Sequence, residues 1–136
     1  MRKIRMHLLL AALIPLAACM PTASAPPSGM ADIDRVLVYF DEFSANLSPE
    51  AQRTIADAAG RARASQARGI RIEGRASATG SVEANKRLAE TRTQVVSDEL
   101  QKDGVPQPII RQAPIGQTGS GDPSVAERRV DIVLER

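Results

Sequence analysis

Apolar residues along this chain recur with two periods, one typical of β-strands and one typical of α-helices. Four short runs are β-branched or alternate between apolar and polar residues, and two longer stretches place apolar residues at helical spacing. In chain order the predicted elements are strand 35–40, helix 48–67, strand 69–74, helix 80–104, strand 108–113 and strand 128–134. This βαβαββ order predicts the α+β class, as a two-layer sandwich with both helices on one face of a small mixed sheet.

The first predicted strand is apolar at almost every position. Its sequence, RVLVYF at residues 35–40, is typical of a central strand that is buried on both faces. The three aromatic residues of the chain, Tyr39, Phe40 and Phe43, lie in this strand or just after it. Phe40 is interpreted as a core residue, whereas Tyr39 or Phe43 could line a site at the end of the strand. The strand at residues 69–74 alternates, which predicts one solvated side.

Three signals agree on where the first helix begins. Ser48 is a favourable N-cap, Pro49 suits the first helical position, and Glu50 places a negative charge in the first turn. The apolar positions of this helix are mostly alanine, so we expect it to lie close to the sheet. The residues predicted to be buried are Ala51, Ile55, Ala58, Ala59 and Ala62.

The second helix carries an arginine where an apolar side chain is expected. At about 100° per residue, Arg92 falls near the middle of the apolar stripe, and Asn85 lies in the same sector two turns earlier. An unpaired buried guanidinium would be strongly destabilising, so Arg92 must find a partner or reach out through a gap. The apolar members of the stripe are Leu88, Val95, Val96 and Leu100.

Residues 1–18 are predicted to be a secretory signal. Three basic residues precede an apolar run at residues 8–18, which is shorter than the roughly 20 residues that a membrane-spanning helix needs. The run ends in Leu-Ala-Ala-Cys, which resembles the lipobox of bacterial lipoproteins. This resemblance implies that Cys19 is lipidated and becomes the first residue of the mature chain. Cys19 is the only cysteine, which excludes a disulfide within the chain.

Residues 19–31 are predicted to join the lipid to a folded domain. After Cys19 the segment is rich in Pro, Ser and Ala and carries no charge, as expected for a semi-extended tether. Residues 20–31 span at most about 40 Å when extended, so the domain is expected to stay close to the membrane. Residues 32–136 then form one compact domain.

The charge balance argues against nucleic acid as a partner. Three of the eighteen basic residues lie in the predicted signal, so fifteen basic residues face sixteen acidic ones in the mature chain. The only histidine, His7, is also in the signal. Without histidine or a free thiol, catalytic triads, cysteine nucleophiles and His/Cys metal sites are excluded. We therefore expect no enzyme activity, cofactor or metal.

Several short motifs fall in a fixed order after the tether. They are VYFD at residues 38–41, LSPEA at residues 47–51, the loop at residues 74–80, Asn85, Leu88, Arg92, and RRV at residues 128–130. In order and spacing they resemble the OmpA-like domain, the peptidoglycan-binding module also found in peptidoglycan-associated lipoproteins. The resemblance covers essentially all of residues 32–136.

In that family an aspartate of the loop and an arginine fifteen residues later hold the free end of diaminopimelate in the peptidoglycan stem peptide. Arg92 matches the arginine, but Ser77 occupies the aspartate position, so the ligand motif is degenerate. Glu42 could supply the missing charge, and Arg92 could instead be a structural arginine paired to an acid or to carbonyls at the strand ends. The resemblance implies a peptidoglycan-binding site at Arg92, Asn85, Ser77, Glu42 and Arg128.

Two functions follow from this resemblance and stay open. The chain could be an outer-membrane lipoprotein whose periplasmic domain binds the stem peptide non-covalently. Met20 after the cysteine, in place of Asp, resembles the sorting pattern of outer-membrane lipoproteins. Alternatively, it could be a scaffold subunit of an envelope assembly that has lost peptidoglycan binding and contacts other envelope proteins. The family also has an aspartate after the first strand, in a Phe-Asp pair, where this chain has Glu42-Phe43. The replacements at Ser77 and Phe43 motivate the second possibility.

Overall fold

The computed structural model of the chain describes residues 34–118 and 127–136. The predicted signal, the predicted lipidation site Cys19 and the predicted tether lie outside the described residues. Four strands and two helices form the domain in the predicted order, with one 3-10 turn before the third strand. They are β1 (Asp34–Tyr39), α1 (Pro49–Ala64), β2 (Gly69–Ala76), α2 (Val82–Lys102), the turn Gln107–Ile109, β3 (Ile110–Gln117) and β4 (Arg129–Glu135). The α+β class is confirmed.

The sheet is mixed and has the order β1-β4-β2-β3. Strand β4 pairs antiparallel with both β1 and β2, whereas β2 and β3 run parallel. The last strand of the chain therefore lies in the centre, where Val130, Ile132 and Leu134 are buried on the helix side. Both helices pack on that side, as predicted.

The prediction that β1 is a central strand is wrong, because β1 lies at the edge of the sheet. Val38 faces the core, but Leu37 and Tyr39 on the other side of the strand are 37% and 47% exposed. Side chains of a strand point alternately to opposite faces, so a continuous apolar run does not by itself require burial on both. Phe40, which follows β1, is a core residue as predicted.

Helix α1 begins and packs as its sequence indicates. The Ser48 hydroxyl accepts a hydrogen bond from the Ala51 amide at 3.1 Å, which caps the helix. The helix ends at Ala64, three residues before the predicted end. Its buried residues are the five predicted ones: Ala51, Ile55, Ala58, Ala59 and Ala62. None of the described helices is both long and apolar enough to cross a membrane.

Helix α2 packs on the sheet through Val96 and Leu100 of the predicted stripe, which are fully buried, and through smaller residues in place of the rest of that stripe. Leu88 and Val95 are only half-buried, while Ala89, Thr93 and Ser97 are buried beside Arg92. Gly74 of β2 explains the choice of small residues, because a Cβ at this position would lie 2.6 Å from both the Ala89 carbonyl oxygen and the Thr93 methyl group. The close approach of helix and strand depends on this glycine.

The sheet side without helices carries a dense layer of ion pairs, and we call it the open face. Asp131 of β4 is fully buried there, with Arg35 at 2.5 Å and Arg129 at 2.7 Å. Glu73 of β2 is also buried, against the prediction of a solvated side, because Arg35, Arg71 and Arg75 surround it. Long arginine side chains thus cover a face that has no second layer among the described residues.

Two glycine substitutions should change stability in opposite directions. Gly74→Ala should lower the free energy of unfolding by about 1–3 kcal/mol, because the new methyl group meets a backbone carbonyl that has no room to move. Gly60→Ala, in the middle of α1 with no atom within 4 Å of the added Cβ, should raise it by about 0.5–1 kcal/mol. Urea unfolding of both variants tests this, and an unchanged Gly74→Ala variant would contradict the described helix–sheet packing.

Candidate functional site

The five residues predicted for ligand binding gather at one end of the sheet. Strands β1 and β2 both run antiparallel to β4, so their carboxyl ends meet at the same edge as the start of β4. The turn after β1, the loop after β2 and Arg128 therefore become neighbours. A hydrogen bond of 2.9 Å from the Phe40 amide to the Arg128 carbonyl joins two of these segments.

Arg92 is fully buried, and its guanidinium group is directed at the backbone. It donates hydrogen bonds to the carbonyl oxygens of Ser44 at 2.8 Å, Asp41 at 2.9 Å and Arg75 at 3.1 Å. The centre of the guanidinium lies 5.1 Å from the centroid of the Phe40 ring, a cation–π contact. Among the described residues, every hydrogen bond of Arg92 goes to a carbonyl.

Arg92 keeps its positive charge at neutral pH in spite of this burial. Desolvation by burial, together with the like charge of nearby Arg128, lowers the pKa of Arg92 from its ordinary value to about 10. Because a pKa of about 10 is still well above 7, all of its N–H groups remain available as donors. The bonds to the carbonyls are therefore charge-assisted.

The three carbonyls belong to two segments that Arg92 holds side by side. Residues 41–44 form a turn in which the Ser44 amide donates to the Asp41 carbonyl at 3.2 Å. Arg92 binds the carbonyls at both ends of this turn and also that of Arg75 in β2. The guanidinium thus acts as a brace between the turn after β1 and the end of β2.

The turn presents an acidic and an aromatic side chain to solvent. Glu42 is exposed, and Phe43 is 68% exposed with a φ of 53°, in the left-handed region that bulky residues rarely adopt. Strain of this kind persists where surrounding contacts over-determine the backbone. Here Arg92 supplies those contacts on both sides of Phe43.

Ser77 and Asn85 lie in the same region but are turned inward. Ser77 is buried immediately after β2. The Asn85 amide group donates to the Thr79 carbonyl at 3.1 Å and contacts the Gln117 amide oxygen at 3.5 Å, which ties the start of α2 to its preceding loop and to β3. Arg128 is half-buried.

The structure therefore assembles the predicted residues with unequal access to a ligand. Arg92, Ser77 and Asn85 are buried, Arg128 is half-buried and Glu42 is exposed. The bonding of Arg92 matches the alternative in which it pairs with carbonyls at the strand ends. The identity of those carbonyls has no signal in the sequence, because any residue type carries one. Within residues 34–118 and 127–136, no group of three or more acidic, His or Cys side chains could hold a metal ion.

Replacing Arg92 by an apolar side chain of similar length should destabilise the fold. Arg92→Met removes a donor from each of three carbonyls, although that of Asp41 keeps the Ser44 amide, and relief of the buried charge offsets only part of this loss. We expect the free energy of unfolding to fall by about 2–4 kcal/mol. Arg87→Met, at an exposed position of the same helix, should change it by no more than about 0.5 kcal/mol. Equal stability of the two variants in guanidinium chloride unfolding would refute the brace.

Comparisons with known proteins agree with this architecture. The model of the OmpA family matches residues 39–129. The peptidoglycan-associated lipoprotein from Burkholderia pseudomallei superposes with a TM-score of 0.65 at 26% sequence identity, over 74% of this chain and 90% of that one. No curated protein matches the chain by sequence.

Two further solved structures share the fold at lower identity. The OmpA-like domain of FopA1 from Francisella tularensis subsp. tularensis SCHU S4 gives a TM-score of 0.66 at 22% identity, over 74% of this chain and 70% of that one. The periplasmic domain of Helicobacter pylori MotB gives 0.64 at 17% identity, over 76% of each chain. The family match covers more than half of the sequence and coincides with the domain described above, so the chain belongs to the OmpA family.

Proposed function

We propose that this protein is an outer-membrane lipoprotein whose periplasmic OmpA-like domain binds the peptidoglycan stem peptide without covalent attachment. The similarity to a peptidoglycan-associated lipoprotein over 90% of that chain supports a role of this kind. In this proposal acyl chains on Cys19 hold the protein in the membrane, each buried CH₂ contributing about 0.8 kcal/mol. The protein then connects the envelope to the cell wall and catalyses no reaction.

The turn at residues 41–44, which Arg92 holds in place and which we call the braced turn, is the observation that carries the proposal. It fixes an exposed carboxylate, Glu42, two residues after Phe40, whose amide is hydrogen-bonded to the carbonyl of half-buried Arg128 at the end of the sheet. A free amino-acid end carries one ammonium and one carboxylate, and these two side chains have the complementary charges. Glu42 would take the ammonium, and Arg128 would take the carboxylate. Arg92 then acts as a positioning residue, since its guanidinium is occupied by backbone carbonyls.

The sequence change Glu42→Gln tests this assignment with little risk to the fold, because Glu42 is exposed. Loss of one charge-assisted hydrogen bond should weaken binding of the full chain to purified sacculi about threefold to tenfold. Glu90→Gln removes the same charge from an exposed position of α2 and should leave binding unchanged. Sedimentation with sacculi at several protein concentrations gives both affinities, and equal affinities would remove Glu42 from the site.

A scaffold in an envelope assembly is the second candidate, and the burial of Ser77 favours it. A short hydroxyl side chain occupies the family's aspartate position, so this chain has no carboxylate there to meet an ammonium. In this case the domain keeps the family's shape and contacts another envelope protein.

Restoring an acid at position 77 distinguishes a peptidoglycan-binding lipoprotein from a scaffold that has lost this ligand. A scaffold that has lost its ligand should show only weak retention on sacculi, and Ser77→Asp should then raise that retention at least about tenfold. Thr91→Asp, which adds an acid on the exposed side of α2, is the charge-matched control. Strong retention of the parent chain with no gain from Ser77→Asp would instead support the braced turn as the binding site.

A further inference from the structure

The open face of the sheet presents arginine to solvent and keeps two of its three acids underneath, while the third, Glu135 at the end of β4, is 35% exposed. The side chains of the arginines are between 21% and 60% exposed, whereas Asp131 is fully buried and Glu73 is 9% exposed. The members of this network are Arg35, Arg71, Arg75, Arg111, Arg129, Glu73, Asp131 and Glu135. Five guanidinium groups thus face three carboxylates, which leaves a surplus of two positive charges on this face.

The guanidinium groups of this layer are spread over all four strands. Arg35 lies on β1, Arg129 on β4, Arg71 and Arg75 on β2, and Arg111 on β3. Val133, opposite both Arg35 and Arg71 in the strand register, is 1% exposed, so the arginine stems lie flat over the sheet. The result is a cationic surface to which every strand of the described sheet contributes. Planar guanidinium groups are well suited to two-pronged bonds with phosphate oxygens.

The path of the chain brings this surface close to the proposed anchor. Strand β1 begins at Asp34, at the edge of the open face, and the segment from Cys19 to Asp34 spans at most about 50 Å when extended. A short tether keeps the face at a high effective concentration near the membrane that holds the lipid. Leu37 and Tyr39, both partly exposed on the same side of β1, add apolar and amphipathic area of the kind that suits a headgroup layer.

We propose that the open face docks on the anionic phospholipid headgroups of the membrane that carries the chain. The inference rests on the proposed lipid anchor, which supplies the proximity. Arg71 and Arg111 are the most exposed members of the network, at 40% and 60%, and they make the first contacts with phosphate. In the docked state the strands lie along the membrane surface, and the braced turn is held within one domain diameter of the bilayer.

The test places a fluorescent label on each side of the domain in the full mature chain, reconstituted in vesicles that contain an acceptor lipid. Leu37→Cys labels the open face, and Ala56→Cys labels the exposed side of α1. Vesicles of phosphatidylethanolamine with phosphatidylglycerol are compared with vesicles of phosphatidylethanolamine with phosphatidylcholine. Energy transfer from position 37 should rise in the anionic vesicles, whereas transfer from position 56 should not.

Two further changes identify the cause of any rise. Raising the salt concentration from about 0.1 M to about 1 M shortens the Debye length from about 10 Å to about 3 Å and should abolish the rise. Arg71→Gln and Arg111→Gln should each lower the ratio of docked to undocked domain about fivefold. Arg53→Gln and Arg87→Gln, at exposed positions of the two helices, are the charge-matched controls. Helical circular dichroism confirms that each variant is folded. The salt series uses the labelled chains alone and needs no arginine variant.

Equal energy transfer in both kinds of vesicle would overturn the proposal, as would an equal response of the two labels or an equal loss in the control variants. The proposed lipid anchor is tested separately, because the mass of the purified chain shows whether Cys19 is acylated. An unacylated chain stays in solution, where co-sedimentation with the same vesicles and arginine variants still tests the face. Binding to sacculi is measured without vesicles. A chain that fails to bind sacculi can therefore still show docking of the open face on vesicles.

Discussion

A positive charge without water is the constraint around which this domain is built. The Arg92 guanidinium is fully buried beside the Phe40 ring, and three carbonyl oxygens from two segments replace its hydration. Those carbonyls must keep their positions for the charge to be tolerated, because a buried ion without partners is strongly destabilising. The turn after β1 and the end of β2 are consequently fixed by the same side chain. The left-handed conformation of Phe43 is one result of that fixation.

The two faces of the sheet are shielded from water in different ways. On one face, alanine-rich α1 and the small residues of α2 approach closely and exclude water with apolar atoms. On the other face, arginine side chains cover Val133 and Asp131, so the shielding layer consists of side chains from the sheet itself. This second solution leaves charge at the surface and makes the face a candidate for contacts with anions.

The sequence predicted the elements of the fold because their signals are local. Ser48, Pro49 and the alanine spacing of α1 act within one helix, and the structure confirms them. The position of β1 at the sheet edge could not be predicted, since strand order depends on pairing with β4 almost a hundred residues later. The ion pairs of the open face join different strands, so they could not be predicted for the same reason. Only the alternation of positive and negative charge at Arg71, Glu73 and Arg75 is visible in the sequence. The predicted site residues do gather at one end, but which of them are buried depends on tertiary packing.

The brace made by Arg92 also bears on how related sequences are compared. A guanidinium that holds two backbone segments together is needed for folding whether or not a ligand is bound. Selection for a folded chain alone would then retain it, so a matching arginine identifies the fold rather than the ligand. The side chains at positions 42 and 77 take no part in this brace, so the residue types there can change with the binding partner. Under the proposed function, those two positions are the more informative markers in a search for family members that bind the stem peptide.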